Sequence, residues 1–391
     1  MISYTKAIEI IENQKLKGNK CFLNLKDCLD KITSENIFSP IDSPPFSQSA
    51  MDGYAIKFGK SDKYKIVGES KAGIAHDLKI MEGEAIRIFT GAFISDEADC
   101  VIMQEYVKKK GNEIQILKKP LINQNIRFKG EQVKKGELVL QKGIKVNPAI
   151  IGYLGSLGLK KISVFNNPKI SIIITGDELV NNSSDLKKGQ IYESNSQMLL
   201  AALSKEGITN VGVYKINDDL VAITNSIKNI ILSSDLIILS GGISVGDYDY
   251  VKEALNLNNV NELFYKVNQK PGKPLWFGKK GNKFVLALPG NPGSSLTCFY
   301  IYFLPILRKF LNKNNIHLKK TDAILDSEII NNSGKTLFLK GILKNNKVSL
   351  LSGQSSAKLV GYSKSNVLIY VPEKTKKISV NNKVQCFIIP N

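Results

Sequence analysis

Apolar and polar positions follow different rhythms in different parts of the chain. Between positions 169 and 311, short apolar runs at 170–174, 211–216, 236–239 and 284–288 are separated by segments with helical spacing. Runs that are apolar at successive positions predict strands buried on both faces, and their alternation with helices predicts a mostly parallel α/β sheet. Helices are expected at 196–206, with Ser194 or Asn195 as N-cap and Gly207 past the end, then from Asp218-Asp219 through Leu232, at 250–255, and at 294–311. The last is apolar on most faces and so reads as buried. All four strands end in Gly, Asp or Pro loops, and in an open α/β sheet such loops gather on one rim, where ligands sit.

The flanking regions differ. Residues 1–36 read as an amphipathic helix around Ala7, Ile8, Ile10 and Ile11, a break at 15–20, and a second amphipathic element. After Pro40, Pro44 and Pro45 the pattern turns to short β-like runs at 64–67, 85–89, 100–104, 113–116 and 126–128, a small, mostly antiparallel module. Positions 136–158 return to mixed character and are expected to pair back with the N-terminal segment, making the β module an insertion. Beyond 319 helical periodicity stops, and runs at 324–330, 336–343, 347–351, 367–371 and 384–389 predict a C-terminal β domain. The expected fold class is α/β plus β in a multidomain chain. It has a small mixed N-terminal domain (1–43 with 136–166), an inserted β module (44–135), an α/β domain (167–318) and the C-terminal β domain (319–391).

Charge changes this picture little. The chain carries a formal net charge of +19, but its only arginines are Arg87, Arg127 and Arg308. Nucleic-acid readers lean on arginine's planar fork, so a lysine-rich solvated surface that also draws in an anionic substrate is the better reading. Five cysteines without CxxC spacing, and two histidines far apart, argue for a reducing, cytoplasmic setting and against disulfide frameworks and zinc sites. No apolar stretch is long enough for a membrane span, the nearest being 294–307 with Pro305 inside it.

The chemistry lies in the loops. At Ser240-Gly241-Gly242 side chains vanish, so backbone N–H groups can approach a ligand, and Asp247 and Asp249 follow directly. Glycines and carboxylates grouped at the end of a buried strand cost stability without a ligand, which favours a functional reading. Thr175-Gly176-Asp177-Glu178 and Asp218-Asp219 read equally as helix caps, and taken singly the capping reading is preferred. Lys270-Pro271-Gly272-Lys273-Pro274, with Lys266 before it, sets lysines around rigid turns, against the alternative of a basic surface loop. The loop from Leu288 to Ser295 joins strand to helix and either favours an oxyanion or is a rigid crossover turn. Residues 49–55, 89–92 and 354–356 read singly as ordinary turns. No Ser-His-Asp or Cys-His grouping is present. Carboxylates, lysines and glycine loops without a nucleophile fit a Mg²⁺-assisted reaction on a phosphorylated substrate.

Taken in order, SAMDGYA (49–55), IFTGA (88–92), TGDEL (175–179), GQIYESN (189–195), SGGISVGDYD (240–249), KPGKP (270–274) and LPGNPGS (288–294) span most of the chain. Together they resemble the molybdopterin molybdenumtransferase family of molybdenum cofactor biosynthesis, which is similar to the E domain of gephyrin. The resemblance implies four domains, the α/β one binding molybdopterin, and an elongated homodimer whose cleft uses both subunits. The implied reaction takes adenylylated molybdopterin and molybdate, as substrates, to molybdenum cofactor and AMP with Mg²⁺. A complex with the molybdopterin adenylyltransferase is a further partner to consider; nucleic acid and membrane are not expected.

Carried over by motif, Asp52, Glu178, Asp218, Asp249, Lys266 and Lys270 are expected to be catalytic, with Glu178, Asp218 and Asp249 holding the metal. Thr90, Thr175, Gly176, Ser240, Gly241, Gly242, Asp247, Lys273, Pro289, Gly290, Asn291, Pro292 and Ser355 are expected to bind substrate. The chain departs from the family pattern at Gln132, where an acidic residue is usual, at Ser47-Gln48, and at Lys340, where arginine is common. Two alternatives stand beside this reading. One is the adenylyltransferase, which lacks the first third of this chain; the other is a non-catalytic scaffold, which has no need of four convergent carboxylates.

Overall fold

The strand Leu236–Ser240 has five consecutive buried residues and lies third in a six-stranded sheet. The order is Val211–Ile216, Ile170–Thr175, Leu236–Ser240, Lys283–Leu288, Trp276–Lys280, Asn261–Tyr265. The first four run parallel, and the last two are joined by antiparallel pairings, so that only Trp276–Lys280 runs against the rest. Side chains alternate between two cores: Ile172, Ile174, Ile238 and Leu286 face one, and Ile173, Ile237, Leu239 and Val285 the other. Helices therefore cover both faces, which is why the apolar runs are continuous. Each fully buried aliphatic side chain contributes about 1.5–3 kcal/mol, so this strand anchors everything at its end.

The structure is a computed structural model and describes residues 1–16, 18–74, 79–181, 185–243 and 250–390. The chain divides into two compact units, Met1–Cys21 with Phe165–Asn391, and Phe22–Val164. Among the described residues no helix is long and apolar enough to cross a membrane.

In the larger unit the expected helix at 294–311 is one helical run in three parts, Pro292–Cys298, a π-helical turn Phe299–Phe303, and Leu304–Phe310. The widened turn lies just before Pro305, which has no N–H to give an α-helical bond. The N-terminal helix Tyr4–Glu12, capped by the Ser3 hydroxyl, lays Ala7 and Ile11 in the same core as Leu307 and Phe310. The helix Tyr4–Glu12 thus packs in the larger unit, because its apolar stripe finds its partner there, while the strand after it, Lys20–Asn24, pairs with Lys161–Phe165.

The C-terminal strands close into a barrel. Thr336–Lys344 pairs with Lys347–Leu350, followed by Lys320–Leu325, Lys383–Ile388 and Val367–Val371, which returns to Thr336–Lys344. Closure removes the open edges that would otherwise invite pairing with other chains. One short strand joins from outside: Gln269–Lys270 pairs parallel with Thr336 and Leu337 and ties the lysine loop to the barrel. Phe338, Leu368 and Phe387 also enter the core of the α/β sheet, so the barrel and the sheet share apolar packing.

The smaller unit holds a second six-stranded sheet in the order Cys100–Met103, Gly53–Ile56, Glu84–Ile88, Lys63–Ser70, Glu113–Ile116, Val107–Lys110. All neighbours are antiparallel except Lys63–Ser70 with Glu84–Ile88. Outside it, Ile37–Phe38 pairs with Leu138–Leu140, Ile32 bridges Lys145, and Thr33 bridges Val164. The chain's two crossings between units are close in the larger one, where the Asn166 N–H donates to the Asn19 carbonyl at 2.8 Å.

One buried ion cluster fastens the sheet's lower end. Glu206, with its side chain 7% exposed, accepts from Arg308 at 2.6 Å and from Lys313 at 2.7 Å. Burial pushes the Glu206 carboxyl up, but Arg308 and Lys313 outweigh it and hold the carboxyl below its ordinary value. A folded-state value lower than the unfolded one stabilises fully above about pH 4.3, and this contribution is lost as the pH falls through the folded value. Arg308→Ala leaves a buried carboxylate short of its main partner and should cost roughly 3 kcal/mol, read as a lowered urea midpoint at pH 7. The deficit should shrink on acidification.

Candidate active site

The carboxyl ends of the parallel strands converge as expected. Thr175, Gly176, Glu178, Asp218, Ser240, Gly241, Gly242, Pro289, Gly290, Asn291 and Pro292 line one cavity of about 580 Å³. Gly241 has φ +103°, and a Cβ there would lie 2.5 Å from the Thr175 carbonyl oxygen. The turn can be made only by a residue without a side chain. Its placement brings the backbone of the strand end against Thr175.

Asp218 and Asp219 have separate tasks. Asp219 caps the helix Leu220–Ser233, its Oδ1 accepting from the Ala222 N–H at 2.7 Å. Asp218 turns to the cavity, and its Oδ1 is buried without a hydrogen bond. Burial pushes its carboxyl above the ordinary value, and the charges of Asp177 and Glu178 add to this against the nearby Thr175 hydroxyl and the Asp177 backbone N–H. The capping reading of 175–178 does not hold, since that stretch is a turn leading into Leu179–Val180, a short strand paired with Ile191–Tyr192. With no helix there to cap, Glu178 is left exposed at the cavity.

Asp218 and Glu178 are hard oxygen donors, and a buried carboxylate oxygen without a donor, next to other negative charge, is suited to a cation. Mg²⁺ commonly takes only one or two protein carboxylates and fills its shell with water and substrate phosphate, so these residues fit it. Among the described residues no group of three carboxylate, His or Cys ligands forms. Asp247 and Asp249 lie outside the described residues.

A second cavity of about 1180 Å³ shares Pro274, Pro289 and Asn291 with the first, and Lys270, Lys273 and Ser355 line it. No ion pair to Lys270 or Lys273 occurs among the described residues, so both ammonium groups remain available to an anion. Their turn rests on neutral groups: the Gln269 side chain donates to the Gly272 carbonyl at 3.1 Å and accepts from the buried Tyr302 hydroxyl. Ser355 is held from below by Lys340, which is only 4% exposed and donates to the Ser355 and Lys358 carbonyls. Burial pushes the Lys340 pKa down. Lysine here does by backbone contacts what its replacement of arginine left open.

Lys266 lines neither cavity. Its backbone has φ +61°, and its ammonium stands over the Tyr265 ring, 4.7 Å from the centroid. The loop at 289–292 is less open to anions than expected, because the Ser294 N–H in the first turn of the short helix donates to the Ser356 carbonyl at 3.2 Å.

The remaining predicted residues are in the smaller unit. Asp52 Oδ1 accepts from both the N–H and the hydroxyl of Thr90, each at 2.8 Å. These bonds hold the exposed carboxyl below its ordinary value. Arg87 lies over Tyr54 and Phe89 and donates to the Gly53 carbonyl, fixing the turn beside it. At the departure from the family pattern, the Gln132 Oε1 accepts from the Ser43 hydroxyl at 3.3 Å, while Glu131 accepts from the Phe128 N–H at 2.9 Å. Glu131 thus closes the turn beside Gln132.

Asn195 is the residue sequence reasoning missed. Of the two expected caps Ser194 is the N-cap, and Asn195 is the first residue of the helix Asn195–Ser204. Its side chain bridges two site loops, the Nδ2 lying 2.9 Å from Ser240 Oγ and 2.8 Å from the Gly290 carbonyl.

Fold and cavities define a multidomain α/β protein with its ligand cavities at the carboxyl ends of parallel strands. Comparison with known proteins narrows this. Residues 2–158 match the MoeA N-terminal region (domain I and II), and residues 171–309 match a probable molybdopterin binding domain. The molybdopterin molybdenumtransferase of Haemophilus influenzae is 34% identical over 376 residues, 93% of this chain and 92% of that one. That of Staphylococcus epidermidis is 30% identical over 400 residues, 99% of this chain and 95% of that one. The crystal structure of a molybdopterin biosynthesis moeA protein from Pyrococcus horikoshii superposes with a TM-score of 0.88 at 27% identity, covering 100% of both chains. The chain belongs to the molybdopterin molybdenumtransferase family, transferases of molybdenum cofactor biosynthesis.

Proposed function

We propose that the protein transfers molybdenum from molybdate to adenylylated molybdopterin, releasing AMP and forming molybdenum cofactor, in a Mg²⁺-dependent reaction. The observation that carries this is the pair of adjoining cavities, one lined by Asp218, whose Oδ1 has no hydrogen-bond partner, and the other by Lys270 and Lys273, which form no ion pair among the described residues. Asp218 and Glu178 would hold Mg²⁺, with Asp249 as the third ligand the family resemblance implies. When bound, the cation neutralises negative charge on a phosphate bridge. Lys270 and Lys273 attract and orient anionic oxygens, including those of molybdate, a tetrahedral dianion. Lys266 acts from beside Tyr265, and Asp52, clamped by Thr90, presents its remaining oxygen without needing to be ordered on binding. The proposal includes a homodimer, to which the exposed Leu117, Leu121 and Ile122 of the smaller unit offer apolar surface.

The test is AMP release from adenylylated molybdopterin by the purified protein with Mg²⁺, with and without molybdate. Molybdate-dependent release is the expected result. Binding without release would point to a non-catalytic member of the family, and no binding would overturn the reading.

A further inference from the structure

The Asp218 cavity is richer in unmet acceptors than in unmet donors. Among the described residues only five buried side-chain polar atoms have no hydrogen-bond partner, and three of them belong to residues lining this cavity: Thr175 Oγ1, Asn195 Oδ1 and Asp218 Oδ1. Buried polar atoms are nearly always paired, so such a concentration points to a ligand. Thr175 can donate one proton; Asn195 Oδ1 can only accept, and the Asp218 carboxylate, once ionised, likewise.

The orientation of the Asn195 amide follows from its surroundings. The Gly290 carbonyl can only accept, so the atom 2.8 Å from it must be the amide nitrogen. The same nitrogen reaches Ser240 at 2.9 Å, so both its protons are used. Oδ1 is therefore turned away from these loops and left without a donor in a residue that is only 7% exposed. A phosphate or molybdate offers acceptors and would leave it unmet.

We infer that Asn195 is a specificity-determining residue of this cavity, its Oδ1 accepting a hydrogen bond from an N–H group on the heterocycle of the substrate. The inference rests on the proposed function, which makes that heterocycle a pterin with amino and ring N–H donors. A cation at Asp218 and an N–H donor at Asn195 together supply what the cavity lacks.

The test compares two bicyclic probes on the intact protein: pterin, which carries these donors, and 1,3-dimethyllumazine, which has the same ring system with no N–H group. Fluorescence titration should show pterin binding at least about tenfold more tightly, the scale set by leaving one buried acceptor unpaired. In Asn195→Ala the preference should collapse, with pterin affinity falling to that of the lumazine and lumazine affinity unchanged. A merely structural role for Asn195 would weaken both alike. Equal binding of the two probes by the wild-type protein would overturn the inference while leaving the proposed function in place, and requires no variant to fold. If neither probe binds, the pterin reading of the cavity and this inference fall together. If AMP release fails but the tenfold preference remains, the transfer reaction is wrong and the Asn195 assignment stands.

Discussion

Asp218→Asn should lower molybdate-dependent AMP release by about a hundredfold, the scale of losing a positioned charged group in a reaction of this kind, while the protein becomes slightly more stable at pH 7. The two effects come from one cause. Burial, and then Asp177 and Glu178, raise the Asp218 pKa in the folded protein. With a folded value above the unfolded one, the ionised form costs more in the folded state, so stability falls as pH rises through the interval between the two values. At pH 7 the ionised form carries that penalty, and asparagine relieves it; well below about pH 4 the side chain is protonated in both states and the gain should vanish. Thermal melts at the two pH values, set beside the AMP assay, measure both halves. Lower activity with unchanged or lower stability at pH 7 would mean that Asp218 is a supporting residue and not a strained site carboxylate.

Gly241→Ala should both destabilise the protein and abolish its activity. The new Cβ would meet the Thr175 carbonyl oxygen at 2.5 Å and the Thr175 hydroxyl at 2.9 Å. Thr175 is paired in the sheet with Ile216, so it cannot step aside without opening the register. With the backbone strain, the cost should be about 3 kcal/mol, and the displaced loop should leave AMP release undetectable. Gly281 provides the comparison, since it too has positive φ, +59°, but no atom within 4 Å of an added Cβ. Gly281→Ala should cost only about 1 kcal/mol and leave activity intact. Denaturant midpoints and AMP release for the two variants separate strain from collision.

These outcomes also mark where local sequence pattern was a sufficient guide. Three of the four parallel strands were legible because both faces of the sheet are covered there, which buries nearly every position of the strand; the edge strand Val211–Ile216 has three exposed residues and is a weaker run. The antiparallel pair Asn261–Tyr265 and Trp276–Lys280 was not. Its register shifts between Glu262 and Phe264, and it carries Gly278, so no clean alternation survives. The converging loops were legible as a rim, yet local pattern could not say which of Asp218 and Asp219 capped the helix. That is decided by which carboxylate reaches the Ala222 N–H. Lys266 was grouped with Lys270 and Lys273 by spacing, but its left-handed backbone sends it over Tyr265. Asn195 ends the GQIYESN motif, yet its own role was hidden for the opposite reason: it depends on a carbonyl 95 positions away.

The hydrogen bond between Asn19 and Asn166 has a consequence for how the protein can be taken apart. The larger unit already holds the two cut ends of its chain side by side, so a turn of a few residues could replace the whole of Phe22–Val164 with little loop-closure cost. The smaller unit is in this sense a cassette. Its removal would leave the shared packing of the barrel and the α/β sheet in place.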